Sequence, residues 1–150
     1  MRLFAQRGNA VTGVDRSAEA IAAVAGLGCA IEADIENGPW PLDGVTFDAV
    51  VVTNYLWRPL LPRIVASVAP GGVLIYETFS TGHETVGKPS RSDFLLREGE
   101  LLQATAGLHI VAFEDGFSVH PDRFVQRVAA VRKPTVPAEA PERFLLRAAE

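Results

Sequence analysis

The sequence predicts an α/β fold built on a mostly parallel sheet with an antiparallel last strand. Short apolar strand patterns alternate with amphipathic helical patterns along the 150 residues, which is typical of sheets wound with helices. The apolar run 47–53, a helical pattern and the apolar run that ends at Phe79 form one βαβ unit, and such runs are typical of parallel strands buried on both faces. Two strand patterns near the end of the chain predict an antiparallel hairpin.

The composition predicts a folded protein and excludes several function classes. Hydrophobic residues make up 48% and charged residues 21% of the chain, which is typical of a globular domain. The net charge of −4 leaves no basic surface for nucleic acid, so we expect no nucleic-acid partner. Cys29 is the single cysteine, so no internal disulfide forms and we expect a reducing, cytoplasmic setting. No apolar run approaches the roughly 20 residues of a membrane-spanning helix, so we expect no membrane partner.

The N-terminal part of the chain predicts two helices, two short strands and a loop. Gly8 ends the first helix, and the Ser17 side chain caps the second. Cys29 lies on an apolar strand, so we expect it in the core. In chain order we predict the last turns of a helix over 2–7, a strand over 10–15, a helix over 17–27, a strand over 29–33 and a loop over 36–46 with at most one helical turn.

The remainder of the chain predicts the βαβ unit, a long loop, a short helix and the hairpin. Pro59 suits the first turn of a helix whose buried stripe ends at Val68, and the Pro-Gly-Gly turn at 70–72 ends this helix. In order we predict a strand over 47–53, a helix over 59–68, a strand ending at Phe79, a lid-like polar loop over 80–93, a helix over 98–105 capped by Gly107, and strands over 109–114 and 124–131 joined by 116–123. We expect one domain over 1–132 and a Pro-rich and Ala-rich tail over 133–150, with a helical turn over 142–149.

Candidate ligand-binding residues stand where the predicted parallel strands end. Ligands of such sheets bind beyond the carboxyl ends of the strands, where the sequence places four polar side chains, Asp15, Asp34, Asn54 and Glu77. A carboxylate at Asp15 suits both hydroxyls of an adenosine ribose, and one at Asp34 suits the adenine amino group. The alternatives are an acid that caps a helix for Asp15 and a solvated turn acid for Asp34.

Residues 1 to about 132 resemble a class I S-adenosylmethionine (SAM)-dependent methyltransferase, and within that superfamily the small tellurite-resistance branch. The segments that carry the resemblance are 11–15, 33–34, 47–56, 69–79, 87–90 and 93–96. The resemblance implies a Rossmann-like fold with the sheet order 3-2-1-4-5-7-6 and an antiparallel seventh strand. It also implies SAM as the cofactor and a small molecule as the methyl acceptor.

The same resemblance implies roles for individual residues. Asp15 would bind the cofactor ribose, and Asp34 with Ile35 would bind the adenine. Asn54 with Tyr55 would lie beside the reactive sulfonium. The full set of implied cofactor-binding residues is Asp15, Arg16, Ala33, Asp34, Ile35, Asn54 and Tyr55.

One departure from the family pattern concerns the first strand. This strand, and the glycine-rich loop that holds the methionine part of SAM, should precede residue 1, and the chain starts within the following helix. The strand is central in the family sheet, and unpaired buried backbone groups cost about 1–3 kcal/mol each. We therefore expect an upstream segment that carries the strand and the loop. Direct pairing of the flanking strands and a strand from a partner chain are the alternatives.

The predicted lid carries the candidates for chemistry. Methyl transfer is an in-line displacement, so the protein mainly orients the reactants and sometimes supplies a base. His83 and Glu84 are the candidate catalytic bases, with solvated loop residues as the alternative interpretation. Three basic residues of the same region would favour an acidic or oxyanion substrate, or else form a solvated basic loop: Lys88, Arg91 and Arg97. His109 and His120 lack a Cys or His neighbour at metal-ligand spacing, so we predict no metal site.

These observations predict a SAM-dependent methyltransferase that acts on a small molecule. The first alternative is a non-catalytic binding or dimerising module of the same fold, without its cofactor loop. The second is an NAD-type Rossmann oxidoreductase, which would also place an acid such as Asp15 on a ribose. The predicted terminal hairpin and the absence of a catalytic Tyr-Lys or Cys signature disfavour that second alternative. A homodimer is the one macromolecular assembly that the sequence leaves open.

Overall fold

The computed structural model describes residues 1–135 and 143–144. The chain divides into two compact units, Met1–Gly44 and Val45–Glu150. Each unit contains one sheet, with two strands in the first and four in the second. Most of the tail, over 136–142 and 145–150, lies outside the described residues, and with it the helical turn expected there.

The first unit is a small βαβ arrangement. Its two strands are parallel, and their register pairs Thr12 with Cys29 and Asp15 with Glu32. The cap predicted for the second helix is confirmed, because the Ser17 hydroxyl accepts the N–H of Ala20 at 3.2 Å. Cys29 is exposed, so its predicted core position is wrong; no residue of this unit is fully buried. The elements are α1 (Arg2–Ala5), β1 (Thr12–Asp15), α2 (Ala18–Ala23) and β2 (Cys29–Glu32).

The second unit contains the larger sheet, in the order β3-β4-β6-β5. The pair β3 and β4 is parallel, and the two remaining pairs are antiparallel. This order matches strands 4-5-7-6 of the expected family sheet, and the pair in the first unit matches its strands 2 and 3. The elements are β3 (Phe47–Thr53), α3 (Leu61–Ala66), β4 (Val68–Phe79), α4 (Glu100–Ala104), β5 (His109–Ser118) and β6 (Arg123–Val131), with 3-10 turns at Arg58–Leu60, His83–Thr85 and Ser92–Phe94.

The two faces of the larger sheet differ in burial. On one face, Leu74 and Tyr76 of β4 are fully buried beneath α3 and α4, where Leu101 is also inaccessible to solvent. On the other face, Val51 is 43% exposed and Ile75 is 44% exposed. The alternation follows from the two-residue period of a strand, which sends successive side chains to opposite faces. The core of this unit therefore lies between the sheet and its two helices.

The Pro-Gly-Gly segment does not end a helix, as the sequence predicted. Helix α3 stops at Ala66, and Val68 already pairs with Phe47 across the sheet. The register then jumps, because the next pairs join Ala49 to Val73, so residues 69–72 bulge from β4. Gly71 adopts a φ of +80° in this bulge, a conformation that glycine tolerates. Arg132 holds the bulge by exchanging backbone hydrogen bonds with Gly71 and Gly72 at 2.8 and 2.9 Å.

Further boundaries differ from the prediction, among them the end of α2, which lies at Ala23 rather than at residue 27. Strand β5 continues to Ser118 because Phe117 pairs with Phe124, and their rings lie 4.8 Å apart. The hairpin connection is therefore shorter than the predicted 116–123. Helix α4 begins at Glu100 and is followed by Thr105, whose hydroxyl donates to the carbonyl of Leu101, so the predicted glycine cap is not used. The predicted fold class, a mostly parallel α/β sheet with an antiparallel final strand, is confirmed.

Candidate functional site

The carboxyl edge of the first unit brings the two predicted adenosine-binding acids close together. Asp15 is the last residue of β1, and the backbone N–H of Ala33 donates to its carbonyl oxygen at 2.9 Å. Asp34 follows Ala33 directly, so both carboxylates stand at the same edge of a parallel strand pair. This is the edge at which open α/β sheets bind their ligands.

Asp15 makes one local hydrogen bond and, among the described residues, leaves its second carboxylate oxygen unused. Its Oδ1 atom accepts the backbone N–H of Ser17 at 2.8 Å, as expected of an acid beside a helix start. In the part of the chain that the structure describes, no hydrogen bond engages its Oδ2 atom. The side chain is exposed. Asp15 thus retains a free carboxylate oxygen for a ligand hydroxyl.

Asp34 is more strongly engaged in its own turn. Its Oδ1 atom accepts the backbone N–H groups of Glu36 at 3.0 Å and Asn37 at 3.2 Å. Its Oδ2 atom accepts the side-chain amide of Asn37 at 3.0 Å. These bonds, the Asn37 side chain foremost, lower the pKa of Asp34, and the charge of Arg16 acts in the same direction. Asp34 is therefore an ionised turn-closing acid, with about one of its four lone-pair positions unused.

The carboxyl edge of the second unit carries Asn54 and Tyr55. Asn54 follows β3 with a φ of +54°, and its backbone N–H donates to the carbonyl of Glu77 at 2.9 Å. The Tyr76 hydroxyl donates to the carbonyl of Tyr55 at 2.8 Å, and burial raises the pKa of that hydroxyl. A left-handed conformation at a residue other than glycine is uncommon and clusters at functional sites. The turn after β3 is thus fixed from both sides by β4.

Glu77, the fourth strand-end candidate, is neutralised by arginines. Its Oε1 atom pairs with Arg123 at 2.8 Å, and its Oε2 atom accepts from Arg127. Arg127 also pairs with Glu114 at 2.9 Å, and these two carboxylates, Glu114 foremost, raise the pKa of its guanidinium. Both oxygens of Glu77 are thus engaged with cations. The geometry makes Glu77 a structural ion-pair partner rather than a free base.

The predicted lid is a loop whose two ends are joined. Ser80 and Leu96 form a parallel bridge, and the backbone N–H of Leu96 donates to the carbonyl of Phe79 at 2.9 Å. Thr81 returns the bond, because its N–H donates to the carbonyl of Leu96, also at 2.9 Å. We refer to residues 80–96 as the 80–96 loop. Its base is closed, which leaves its middle part as the exposed portion.

His83 fills the interior of this loop. It is only 4% exposed, and its ring stacks on Phe79 with the ring centroids 4.2 Å apart. Its Nε2 atom lies 3.1 Å from the carbonyl of Lys88. A carbonyl only accepts, so in the neutral ring Nε2 carries the proton and Nδ1 carries a lone pair. Among the described residues this buried Nδ1 atom has no hydrogen-bond partner. The solvated interpretation of His83 is therefore wrong.

Glu84 and the basic residues of the loop are exposed. The Glu84 carboxylate accepts the backbone N–H of Gly82 at 2.8 Å, so it caps the local turn. Arg91 is paired with Asp93 at 2.8 Å. Within the described ranges, Lys88 and the side chain of Arg97, the residue after the loop, form no salt bridge. The charge of Arg97 still acts on Glu100, so Lys88 is the less compensated cation of the two.

Sequence reasoning missed one residue that organises this region. Arg58, at the start of the 3-10 turn after β3, pairs with Glu100 at 2.7 Å across 42 residues of sequence. It also donates to two carbonyls in the returning arm of the 80–96 loop. Only the position of Arg58 four residues after Asn54 could have drawn attention to it, because nothing local indicates its distant partners.

Two further classes of site receive no support. The described residues contain no group of three or more His, Cys, Asp or Glu side chains arranged to hold a metal ion. Over the same residues, every helix is too short or too polar to cross a membrane.

Comparisons with known proteins address the fold. No family model matches the chain, and no curated protein matches it. The structure is similar to TehB from Haemophilus influenzae, at 19% sequence identity and a TM-score of 0.66, over 86% of this chain and 52% of TehB. It is also similar to a SAM-dependent methyltransferase from Methanosarcina mazei, at 17% identity and a TM-score of 0.62, over 88% of this chain and 86% of that one. The chain has the fold of the SAM-dependent methyltransferases.

A third structure with this methyltransferase fold extends the comparison. The N-methyltransferase NodS from Bradyrhizobium japonicum WM9 matches at 17% identity and a TM-score of 0.61, over 83% of this chain and 74% of NodS. The chain spans about half of the length of TehB. At these identities the likeness establishes the methyltransferase fold, and it gives no support to an NAD-type oxidoreductase.

Proposed function

We propose that this chain is a SAM-dependent methyltransferase that acts on a small-molecule acceptor. The observation that carries the proposal is the free Oδ2 atom of Asp15 at the carboxyl end of β1, within a methyltransferase fold. The similar NodS protein has also been solved in complex with S-adenosylhomocysteine (SAH), at 20% identity and a TM-score of 0.54. When bound, SAM supplies a methyl group already activated by its sulfonium charge.

The first unit would recognise the adenosine part of SAM. The free oxygen of Asp15 would accept a ribose hydroxyl while the other oxygen remains bonded to Ser17. The remaining lone pair of Asp34 would accept the adenine amino group, beside the backbone of Ile35. Arg16, which already acts on the charge of Asp34, and Ala33 would flank these contacts.

The second unit would supply the acceptor side of the reaction. By the resemblance, Asn54 and Tyr55 would lie beside the sulfonium, and the bonds to Glu77 and Tyr76 fix the backbone of their turn. The unpartnered Nδ1 atom of His83 is the strongest candidate for a base, since it carries a lone pair. Its burial requires the 80–96 loop to shift before Nδ1 can take a proton from an acceptor. Glu84 is the second candidate, exposed but engaged with Gly82.

The exposed cations of the 80–96 region support an acidic or oxyanion acceptor. Lys88 and Arg97 form no salt bridge among the described residues, although the charge of Arg97 acts on Glu100, so an anion would gain a charge-assisted contact with Lys88 foremost. Arg91 would contribute less, because Asp93 already compensates its charge. The net charge of −4 and the single cysteine support a cytoplasmic enzyme without a nucleic-acid partner.

Calorimetric titration with SAM, SAH and NADH tests this proposal. We expect both sulfur ligands to bind and NADH not to bind. Asp15→Ala should weaken the binding of SAH by about 1.5–3 kcal/mol, the range for a hydrogen bond to a charged group. Asp122→Ala, an exposed acid in the β5–β6 connection, serves as the control and should leave the affinity unchanged.

Each outcome of the titration has a distinct meaning. Binding of NADH in place of SAM would overturn the proposed cofactor. An unchanged affinity in Asp15→Ala would remove Asp15 from the site. Binding only by a longer gene product with an upstream strand and glycine-rich loop would confirm the expectation drawn from the sequence. A screen of thiol, amine, carboxylate and oxyanion acceptors, followed through SAH formation, would then identify the acceptor class.

A further inference from the structure

Arg58 makes an unusually complete set of hydrogen bonds. Its Nε and Nη2 atoms donate to the two carboxylate oxygens of Glu100 at 2.7 and 2.9 Å. Its Nη1 atom donates to the carbonyl of Asp93 at 2.7 Å, and Nη2 also donates to the carbonyl of Leu95 at 2.8 Å. All three nitrogens of one guanidinium are therefore engaged by three different residues. The contacts with Glu100 have the parallel, two-point geometry that favours arginine over lysine.

Glu100 and its neighbours extend this attachment along the chain. The Oε2 atom of Glu100 also accepts the backbone N–H of Arg97 at 2.8 Å. The fully buried Gln126 donates to the carbonyl of Arg97 at 2.6 Å and accepts the N–H of Leu101 at 3.1 Å. The backbone of Arg97 is thus held on both sides. Arg58 connects this fixed segment to the returning arm of the loop, 93–95.

Arg58 and Glu100 carry opposite charges that compensate each other. Hydrogen bonding to Glu100 raises the pKa of Arg58. Burial raises the pKa of Glu100, but the hydrogen bonds from Arg58 and from the Arg97 backbone lower it by more than burial raises it. The net pKa of Glu100 therefore lies below the ordinary value. Both partners therefore remain charged at neutral pH.

Arg58 also lies directly after the turn that carries Asn54 and Tyr55. Only Leu56 and Trp57 separate it from them, and Leu56 is buried. One side chain thus links the turn after β3 to the arm of the 80–96 loop that ends beside Arg97. We propose that Arg58 is a positioning residue. It holds this arm in a fixed position relative to the turn after β3 during methyl transfer. The assignment to methyl transfer rests on the function proposed above.

The structure offers a matched control for Arg58. Arg132 is a second arginine that donates to two backbone carbonyls, those of Val68 and Val65, both at 2.8 Å. These carbonyls belong to the start of β4 and the end of α3, and neither is part of the 80–96 loop. Arg132→Lys should therefore break a comparable set of hydrogen bonds without affecting the arm 93–95 of the 80–96 loop.

The test compares Arg58→Lys, Glu100→Gln and Arg132→Lys by amide hydrogen exchange and SAH titration. A lysine ammonium cannot span the four acceptor oxygens of Arg58, which lie on three residues. The hydrogen-bonded amides of Phe94 and Leu95 should therefore exchange at least about tenfold faster in Arg58→Lys. Glu100→Gln should have the same effect to a smaller extent. The affinity for SAH should change by less than about twofold, because the adenosine contacts are made elsewhere. With the acceptor identified in the screen described above, the KM of Arg58→Lys for the acceptor should rise and its KM for SAM should stay constant.

Three results would overturn the proposal. Unchanged exchange at Phe94 and Leu95 in Arg58→Lys would show that Arg58 does not hold the arm. Equal acceleration of the arm and of the β4–β6 amides would show a general structural role. The same arm effect in Arg132→Lys would show that the contact is not specific. If neither this chain nor a longer gene product binds SAH, the proposed function fails with its methyl-transfer role for Arg58, while the exchange data still decide whether Arg58 holds the arm.

Discussion

The units Met1–Gly44 and Val45–Glu150 differ most in how much they bury. No residue of the first unit is fully buried, although the unit contains Val14, Ile21 and Leu27. The second unit buries a set of leucines and valines, together with Ile64, in its sheet and its helices α3 and α4. A two-stranded sheet with two short helices offers little apolar area to bury, and such small assemblies are marginally stable. We therefore expect the second unit to be stabilised by its own buried core, and the first unit to be only marginally stable.

The same contrast holds for polar side chains. In the first unit, Asp15 and Asp34 bond to groups two or three residues away in sequence. In the second unit, Arg58 and Glu77 bond to partners 42 and 50 residues away. Local bonds close turns, whereas distant bonds hold separate elements together. Asp15 and Asp34, the acids proposed to bind the cofactor, thus lie on locally ordered turns. The 80–96 loop is held by tertiary contacts.

The largest expected difference between the units comes from removing a leucine side chain. Leu101→Ala in α4 should lower the free energy of unfolding by about 2–5 kcal/mol, because Leu101 is fully buried. Leu27→Ala in the first unit should cost about 1 kcal/mol or less, because Leu27 is only half-buried. Urea denaturation of both variants measures these values. Equal costs would contradict the contrast in burial.

A smaller effect is expected from a distant polar contact. Gln126→Leu should cost about 1–3 kcal/mol, because it leaves the carbonyl of Arg97 and the N–H of Leu101 without their partner. Gln103→Leu, on the exposed side of α4, is the matched control and should stay within about 0.5 kcal/mol of the parent. Urea denaturation again provides the values. Similar costs in both variants would mean that the buried bonds do not stabilise the unit.

The smallest effect depends on pH. The net pKa of Glu100 lies below its usual value of 4.5, so the unfolded chain binds a proton more readily than the folded chain. The stabilisation by Glu100 is therefore complete above about pH 4.5 and is lost as the pH falls through the lower, folded-state pKa. Glu100→Gln should cost about 1–2 kcal/mol at pH 7.

Unfolding measured from pH 7 down to pH 3 checks this linkage. The difference between the parent and Glu100→Gln should shrink as the solution becomes acidic. Glu98→Gln, an exposed neighbour, should show no such trend. A constant difference across the range would rule out an ionised Glu100 as the source of the stabilisation.

The sequence predicted the features that depend on local patterns. Strand β3 has its predicted bounds, because an apolar run flanked by polar residues indicates its own ends. The Ser17 cap and the antiparallel pairing of the last two strands are also confirmed. The sequence also predicted that Asp15 and Asp34 lie at the same edge of the sheet, because the strands that precede them are parallel. These acids remain predictions as cofactor ligands.

Features that depend on distant contacts could not be predicted. The bulge of β4 is held by Arg132, which follows the neighbouring strand β6 and lies 60 residues or more along the chain from Gly71 and Gly72. His83 is buried because the loop folds back onto Phe79, which no local pattern indicates. The exposure of Cys29 follows from the absence of a buried interior in the first unit. An apolar pattern predicts a strand, but it does not predict what covers that strand.

Amide hydrogen exchange with and without SAH tests the central claim most directly, because it reports on both units at once. Without ligand, we expect faster exchange in the β1–β2 pair than in the β4–β6 ladder. With SAH, the amides of residues 15–17 and 33–37, together with those of 54–55, should become protected. Asp15→Ala should abolish the protection in the first unit. Protection confined to residues beyond Gly44, or no protection at all, would contradict the claim that the acids of the first unit hold the adenosine.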